Sequence, residues 1–273
     1  MTRTAFVLGG GGHMGAYEVG MLQALLETGI EPDLIVGTSI GAINGAAIAA
    51  EPTLGMVERL RAAWSGAHDD KLFGGSLLAG ALNMFRSRTH LHSNEPLREL
   101  IVQLTPVETF EELIVPFQCV AASIERASEH WFSTGPLLQA VLASAAVPGV
   151  LPPVEIDGEH FIDGGVVNSI PISRAVELGA SEIYVLHVGR INAPLSAPRG
   201  PLQVALVTFE IARRHRFNTD LASLPEGVTA HVLPTGETST STLRQLNYRD
   251  FKAIARRIDN AYAATKHHLE SDG

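Results

Sequence analysis

Twice in its first fifty residues the chain passes from a short apolar run through a glycine turn into a helical pattern. That repetition narrows the folds open to it. Thr4 to Leu8 leads into Gly9-Gly10-Gly11-Gly12-His13-Met14-Gly15, then into Ala16 to Thr28 with Val19, Leu22, Leu25 and Leu26 at helical spacing. Gly29 closes that helix and Pro32 blocks its continuation. Leu34, Ile35 and Val36 form the second apolar run, Gly37-Thr38-Ser39-Ile40-Gly41 the second turn, and Ile40 to Ala50 a small-residue helix. The pattern predicts a βαβ unit with parallel strands and a right-handed crossover, because parallel neighbours cannot be joined by a tight hairpin.

The second turn reads G-x-S-x-G. Such a turn places Ser39 on a strained strand-to-helix corner with its hydroxyl pushed outward. Gly37 and Gly41 are needed there because a Cβ would strike neighbouring backbone. The helix that starts beside Ser39 turns its first amides toward it and favours developing negative charge. The first turn has three readings. Gly10, Gly12 and Gly15 match G-x-G-x-x-G, but a dinucleotide site also needs an acid at the end of the second strand. Glu31 and Asp33 stand at its start instead. A glycine turn with only a structural role is the second reading. The third is an oxyanion hole, in which the amides of Gly11 and Gly12 face a carbonyl oxygen bound at Ser39.

Further along, Pro52 to Ala63 reads as a helix. Gly66 to His92 carries Leu72, Phe73, Leu77, Leu78, Leu82, Met84 and Phe85 among glycines, as either a helical pair on the core or an apolar cover over an acyl site. A helix capped by Ser93 or Asn94 runs to Leu104. Phe117 to Ser123 and Glu129 to Ser133 read as a hairpin, and Gly135 to Ala146 as a helix stopped by Pro148. Val154 to Ile162 is a second hairpin turning at Asp157-Gly158. It delivers Asp163-Gly164-Gly165, a carboxylate on a tight turn. A helix from Pro171 to Leu178, a strand from Glu182 to Val188, and a loop from Arg190 to Pro201 follow. Two long helices, Leu202 to Leu221 and Tyr248 to Leu269, flank a strand near Val228 to Leu233.

A chain of 273 residues with formal charge −9 fits one large α/β domain or two small ones. The acidic balance and the lack of a Lys/Arg-rich block argue against nucleic-acid binding, while leaving a local membrane-facing patch open. Cys119 is the single cysteine, so no intrachain disulfide and no cysteine metal site is expected. Its apolar setting reads as a buried thiol. No run reaches the ~18–20 apolar residues of a membrane span, and the opening segment is too short for a signal peptide. A cytoplasmic protein, able to touch a membrane peripherally, is the expectation.

Four segments taken together, Gly10-Gly11-Gly12 with Gly15, Gly37 to Gly41, Ala143-Ser144-Ala145-Ala146-Val147-Pro148, and Asp163-Gly164-Gly165, resemble the patatin-like phospholipases in order and spacing. The resemblance covers residues 4 to 190. It implies a three-layer α/β/α fold with a mainly parallel sheet, and one catalytic domain over 1–273 on which a helical part, 201–273, packs. It implies a lipid or fatty-acyl ester hydrolase needing no metal or cofactor, with a Ser39–Asp163 dyad. Gly10, Gly11 and Gly12 become the oxyanion donors, and Gly15, Gly37, Gly41, Gly164 and Gly165 shape the motifs. The departure is Met14, with His13 before it: the family often has Arg or Lys at the position of Met14. Two rivals stand beside this reading. One is a Ser–Asp–His α/β-hydrolase using His187, His215 or His231, although only one strand precedes the serine turn. The other is a non-catalytic lipid- or partner-binding member of the same fold.

Overall fold

The computed structural model describes residues 2–66, 92–188, 191, 194–198, 200–236 and 251–272. The two apolar runs are β1 (Thr4–Leu8) and β2 (Leu34–Thr38), paired parallel with Ala5 opposite Leu34 and Leu8 opposite Gly37. Helix α1 (Ala16–Glu27) connects them, and α2 (Ile40–Ala50) starts immediately after Ser39. Side chains alternate between two cores. Phe6, Leu8 and Ile35 enter one; Ala5, Val7, Leu34 and Val36 enter the other. Burial on both faces is why these strands are apolar throughout.

The first core is covered by α1, α2, α3 (Leu54–Gly66), α4 (Glu95–Leu104), α5 (Leu137–Ser144) and α8 (Phe251–Asp272). The second is covered by α6 (Ile172–Glu177) and α7 (Pro201–Ala222), through Ile172, Ala175 and Phe217. The result is an α/β/α sandwich. Helix α8 lies close against α1, where a Cβ on Gly20 would come within 2.1 Å of the Ile258 carbonyl oxygen. Glycine at that point is what allows the two backbones to approach.

The central sheet adds β3 (Phe117–Ser123), β4 (Ser128–Phe132), β5 (Val154–Ile156), β6 (Glu159–Asp163), β7 (Glu182–Leu186) and β8 (Thr229–Val232). Its hydrogen-bonded order is β5-β6-β3-β2-β1-β7-β8, with β4 also paired to β3. The sheet is mixed and mainly parallel: β3-β2-β1-β7-β8 run parallel, while β4, β5 and β6 pair antiparallel. The register along β3 builds the site. β4 occupies one edge of residues Cys119 to Ser123. On the other edge Val120 faces Thr38 of β2, and the next residue, Ala121, faces Asp163 of β6. β6 therefore takes over where β2 leaves off, and the carboxyl ends of these two strands meet.

The expected hairpin turn is present: Asp157 and Gly158 both have positive φ, 53° and 80°, as a type I′ turn requires. The helical pair or apolar cover expected over Gly66 to His92 lies almost wholly outside the described residues, as do residues 248–250 of the last expected helix. Cys119 is buried, which pushes its thiol well up from its ordinary value. Among the described residues no helix is long and apolar enough to cross a membrane.

Candidate active site

Ser39 follows β2 directly and adopts φ 57°, ψ −122°, a strained conformation for a residue with a side chain. The start of α2 fixes it, since the Ser39 carbonyl accepts the amides of Ala42 at 2.9 Å and Ile43 at 3.3 Å. The corner is too tight for side chains on its glycines. A Cβ on Gly41 would sit 2.4 Å from the Leu8 carbonyl oxygen, and one on Gly37 would sit 2.6 Å from that of Gly41.

Asp163 ends β6, so the sheet register brings it to the serine. Ser39 Oγ donates to Asp163 Oδ2 at 2.5 Å, and the Gly165 amide donates to Asp163 Oδ1 at 2.7 Å. Both residues are buried, at 5% and 6% exposure. Burial pushes the Asp163 carboxyl up to about 6, against the opposing pull of its hydrogen bonds from Ser39 and Gly165. Gly164 lets this turn lie against β3, where a Cβ would fall 2.1 Å from the Val120 carbonyl oxygen.

The Ala143 to Pro148 segment ties the two strand ends together. The Ser39 amide donates to Ser144 Oγ at 2.9 Å. The Asp163 amide donates to the Ala146 carbonyl at 2.9 Å. Thr38 Oγ1 adds a third tie, donating to the Asn168 carbonyl at 2.9 Å.

The glycine loop lies beside this pair. A Cβ on Gly10 would be 3.3 Å from Ser39 Cβ. The expectation that Gly10 donates to an oxyanion is corrected here: its amide donates to the Ser169 carbonyl at 2.8 Å, so that donor is occupied. The Gly9 amide is likewise bonded, to Leu186 at 2.9 Å. The amides of Gly11 and Gly12 have no backbone acceptor among the described residues. Gly11 is pressed against Val188, and Gly12 has φ 58°. Gly15 packs on Ile40 and Trp64. Met14 is half-buried with its methyl 3.8 Å from the Cβ position of Gly11.

Behind the loop lies a buried acid that the sequence reading did not single out. Asn44 Nδ2 donates to Glu18 Oε2 at 2.7 Å and to the Gly15 carbonyl at 3.1 Å, and Trp64 Nε1 donates to Asn44 Oδ1 at 3.2 Å. Burial holds the Glu18 carboxyl well above its ordinary range, opposed by the Asn44 hydrogen bond. Glu18 links the helix after the first turn to the helix after the second.

The triad and dinucleotide readings find no supporting geometry among the described residues. Both Asp163 oxygens accept hydrogen bonds, from Ser39 and Gly165, and among the described residues no histidine bonds to either. His231 pairs with Glu182 and stacks on Tyr184, and His215 is exposed on α7. His187 is buried, and burial together with the Arg213 charge lowers its pKa to about 4. For the dinucleotide reading, Asp33 Oδ2 accepts the Thr4 amide at 2.7 Å, at the strand end away from the glycine loop. Among the described residues no group of three His, Cys, Asp or Glu side chains converges to hold a metal. A cavity of about 360 Å³ lined by His130, Phe132 and Phe161 contains neither Ser39 nor Asp163.

Residues 6–176 match the family described as Patatin-like phospholipase. A patatin-like phospholipase domain-containing protein of Caenorhabditis elegans, ZK370.4, is 33% identical over 190 residues, covering 68% of this chain and 14% of that protein. Lysophospholipase nte1 of Aspergillus terreus is 30% identical over 190 residues, covering 68% and 12%. The match thus spans only 12–14% of these relatives' length. The crystal structure of VipD from Legionella pneumophila aligns with 99% of this chain and 67% of that one, at TM-score 0.51 and 15% identity, a likeness of fold. With a family match over most of the chain and its glycine loop, serine corner and aspartate turn gathered at the carboxyl ends of β1, β2 and β6, the protein belongs to the patatin-like phospholipase family.

Proposed function

We propose that the protein is a serine acyl-ester hydrolase of the phospholipase A, lysophospholipase or esterase type. The observation that carries this reading is the 2.5 Å hydrogen bond from Ser39 Oγ to Asp163 Oδ2, made by a serine held at a strained corner. A serine hydroxyl is a weak nucleophile until a neighbouring base takes its proton. Asp163, raised to about 6 by burial, is ionised at neutral pH and more basic than an exposed carboxylate.

Ser39 Oγ attacks the ester carbonyl carbon while its proton passes to Asp163 Oδ2. The amides of Gly11 and Gly12, at the mouth of the glycine loop, hold the tetrahedral oxyanion. Collapse breaks the ester C–O bond, and Asp163 returns the proton to the leaving alcohol. Water then attacks the acyl-enzyme, giving its proton to Asp163, and the fatty acid leaves as Ser39 recovers its hydrogen. Asp163 thus serves as base and acid in turn.

A fatty-acyl substrate suits the surroundings. Val166 and Phe209 leave 46% and 42% of their surface exposed beside the Asp163 turn, and Phe209 lies 3.2 Å from the Cβ position of Gly165. The lysophospholipase name of the Aspergillus relative fits the same substrate class. The test is hydrolysis of a p-nitrophenyl acyl ester together with labelling by a fluorophosphonate. Both should occur in the native protein and vanish in Ser39→Ala. Labelling that persists in the mutant would remove Ser39 from the role.

A further inference from the structure

A buried arginine from outside the family-matched segment reaches two residues that pack against the glycine loop. Arg213 lies on α7, and its side chain is only 4% exposed. A guanidinium is seldom buried unless each edge of its fork has a partner. Here Nη1 donates to Glu210 at 3.1 and 3.2 Å, one turn back on the same helix. The other two nitrogens leave the helix. Nε donates to Ser169 Oγ at 3.1 Å, and Nη2 donates to the Val188 carbonyl at 3.0 Å.

Those two acceptors are the walls of the glycine loop. Ser169 accepts the Gly10 amide through its carbonyl, and its hydroxyl stands 3.3 Å from the Cβ position of Gly10. Val188 packs so closely on Gly11 that a Cβ there would come within 1.9 Å of Val188 Cγ2. One planar group therefore fixes the spacing between the segment before α6 and the end of β7. Gly10 and Gly11 lie in that gap, next to Ser39.

The geometry points to Arg213 as the positioning residue for the oxyanion loop. It holds Ser169 and Val188 so that the Gly11 and Gly12 amides keep their aim, and it places a cation behind them. Its acceptors are 44 and 25 residues away in sequence. It does not touch the reacting atoms. This inference rests on the Ser39–Asp163 hydrolase reading for its kinetic consequence, though not for its structural one. A donor already aimed when charge develops stabilises the transition state without reorganising. Loosening the loop should therefore lower kcat and leave KM nearly unchanged.

The test combines kinetics with peptide-resolved hydrogen exchange on Arg213→Met, Arg213→Lys, Arg213→Ala and Ser169→Ala. In folded Arg213→Met, kcat for a p-nitrophenyl ester should fall about 10- to 100-fold with KM within about threefold, less than the ~100–1000-fold of losing an oxyanion donor outright. Amide exchange in the peptide carrying Gly9 to Met14 should speed up. Low-millimolar guanidinium should recover part of kcat in Arg213→Ala. Lysine keeps charge but loses the fork, so Arg213→Lys should fall between. Ser169→Ala should cost about three- to tenfold alone and nothing further in an Arg213→Met background, since both changes cut one linkage. Native kcat and native loop exchange in folded Arg213→Met would overturn the inference, as would fully independent effects of the two substitutions. If Arg213→Met and Arg213→Ala do not fold, the same cycle with Arg213→Lys decides it. A native protein that neither hydrolyses the ester nor reacts with the fluorophosphonate would defeat the hydrolase reading instead, and loop exchange would still report whether Arg213 holds the loop.

Discussion

The Ser39–Asp163 pair and the glycine loop stand side by side but are held by different means. Thr38, the residue before Ser39, and Asp163 face consecutive positions along β3, and one short segment bonds the Ser39 and Asp163 backbones through Ser144 and Ala146. Every residue in that account falls within 6–176, the part shared with the family. The glycine loop is bonded instead to Leu186 and Ser169 and braced by Val188, with Arg213 of α7 behind it. Most of those supports come from beyond residue 176. A hydrogen-bonded side-chain pair can thus be set by pairing within a sheet, whereas the conformation of a loop depends on whatever chain covers it.

The strongest way to break this contrast is at Asp163. Asp163→Asn should lower turnover by on the order of a thousandfold or more, because an amide cannot take the serine proton. The same change should stabilise the protein at pH 8. The Asp163 carboxyl is raised when folded, to about 6 from an ordinary 3.8. Its contribution to stability is therefore full below pH 4 and is lost as pH rises through 6. At pH 8 the buried charge costs about 3 kcal/mol. Melting curves should show the mutant more stable than the native protein at pH 8, with the gap closing toward pH 4. A mutant no more stable at pH 8 than at pH 4.5, relative to native, would mean that burial is not what raises the group.

A pH profile sharpens the same point. Because the base must be ionised, kcat/KM should be flat from about pH 7 to 8 and fall about tenfold per unit below pH 6. An inflection near pH 4 would place the working base elsewhere.

Ser144→Ala tests the segment that ties the pair. It leaves the buried Ser39 amide without its acceptor, a loss of about 1–3 kcal/mol. Stopped-flow acylation should slow by about tenfold, with the Gly9 to Met14 peptide exchanging as in the native protein. Faster exchange in that peptide would show that the two regions are one unit after all.

The smallest effects are expected from the histidines. His215→Ala and His231→Ala should each stay within about twofold in kcat/KM, well inside the tenfold that 1.4 kcal/mol of barrier represents. A thousandfold loss in either, with the fold intact, would restore a triad.

Local patterns in the sequence locate the elements and single out Ser39 and Asp163, which the fold brings into hydrogen bond. Apolar runs of strand length, glycine turns and helical spacing are local signals, and they located β1, α1, β2, α2, the Asp157-Gly158 hairpin and the aspartate turn from residues near in sequence. Gly41 and Gly164 were marked by their motifs, and the close backbone contacts explain why no side chain fits there. Which polar groups already have partners depends on how distant segments pack. Nothing near Gly10 in the chain tells that its amide is bonded to Ser169, or that Ser144 accepts the Ser39 amide from 105 residues away. Glu18 sits among apolar neighbours with no local sign of Asn44 waiting across the helix pair. Arg213 is one of three arginines within four residues of α7, and only the packing shows that it bonds Ser169 and Val188 beside the glycine loop. Hydrogen bonds of that kind join segments through space, so their partners are fixed by how the layers pack and leave no periodic trace along the chain.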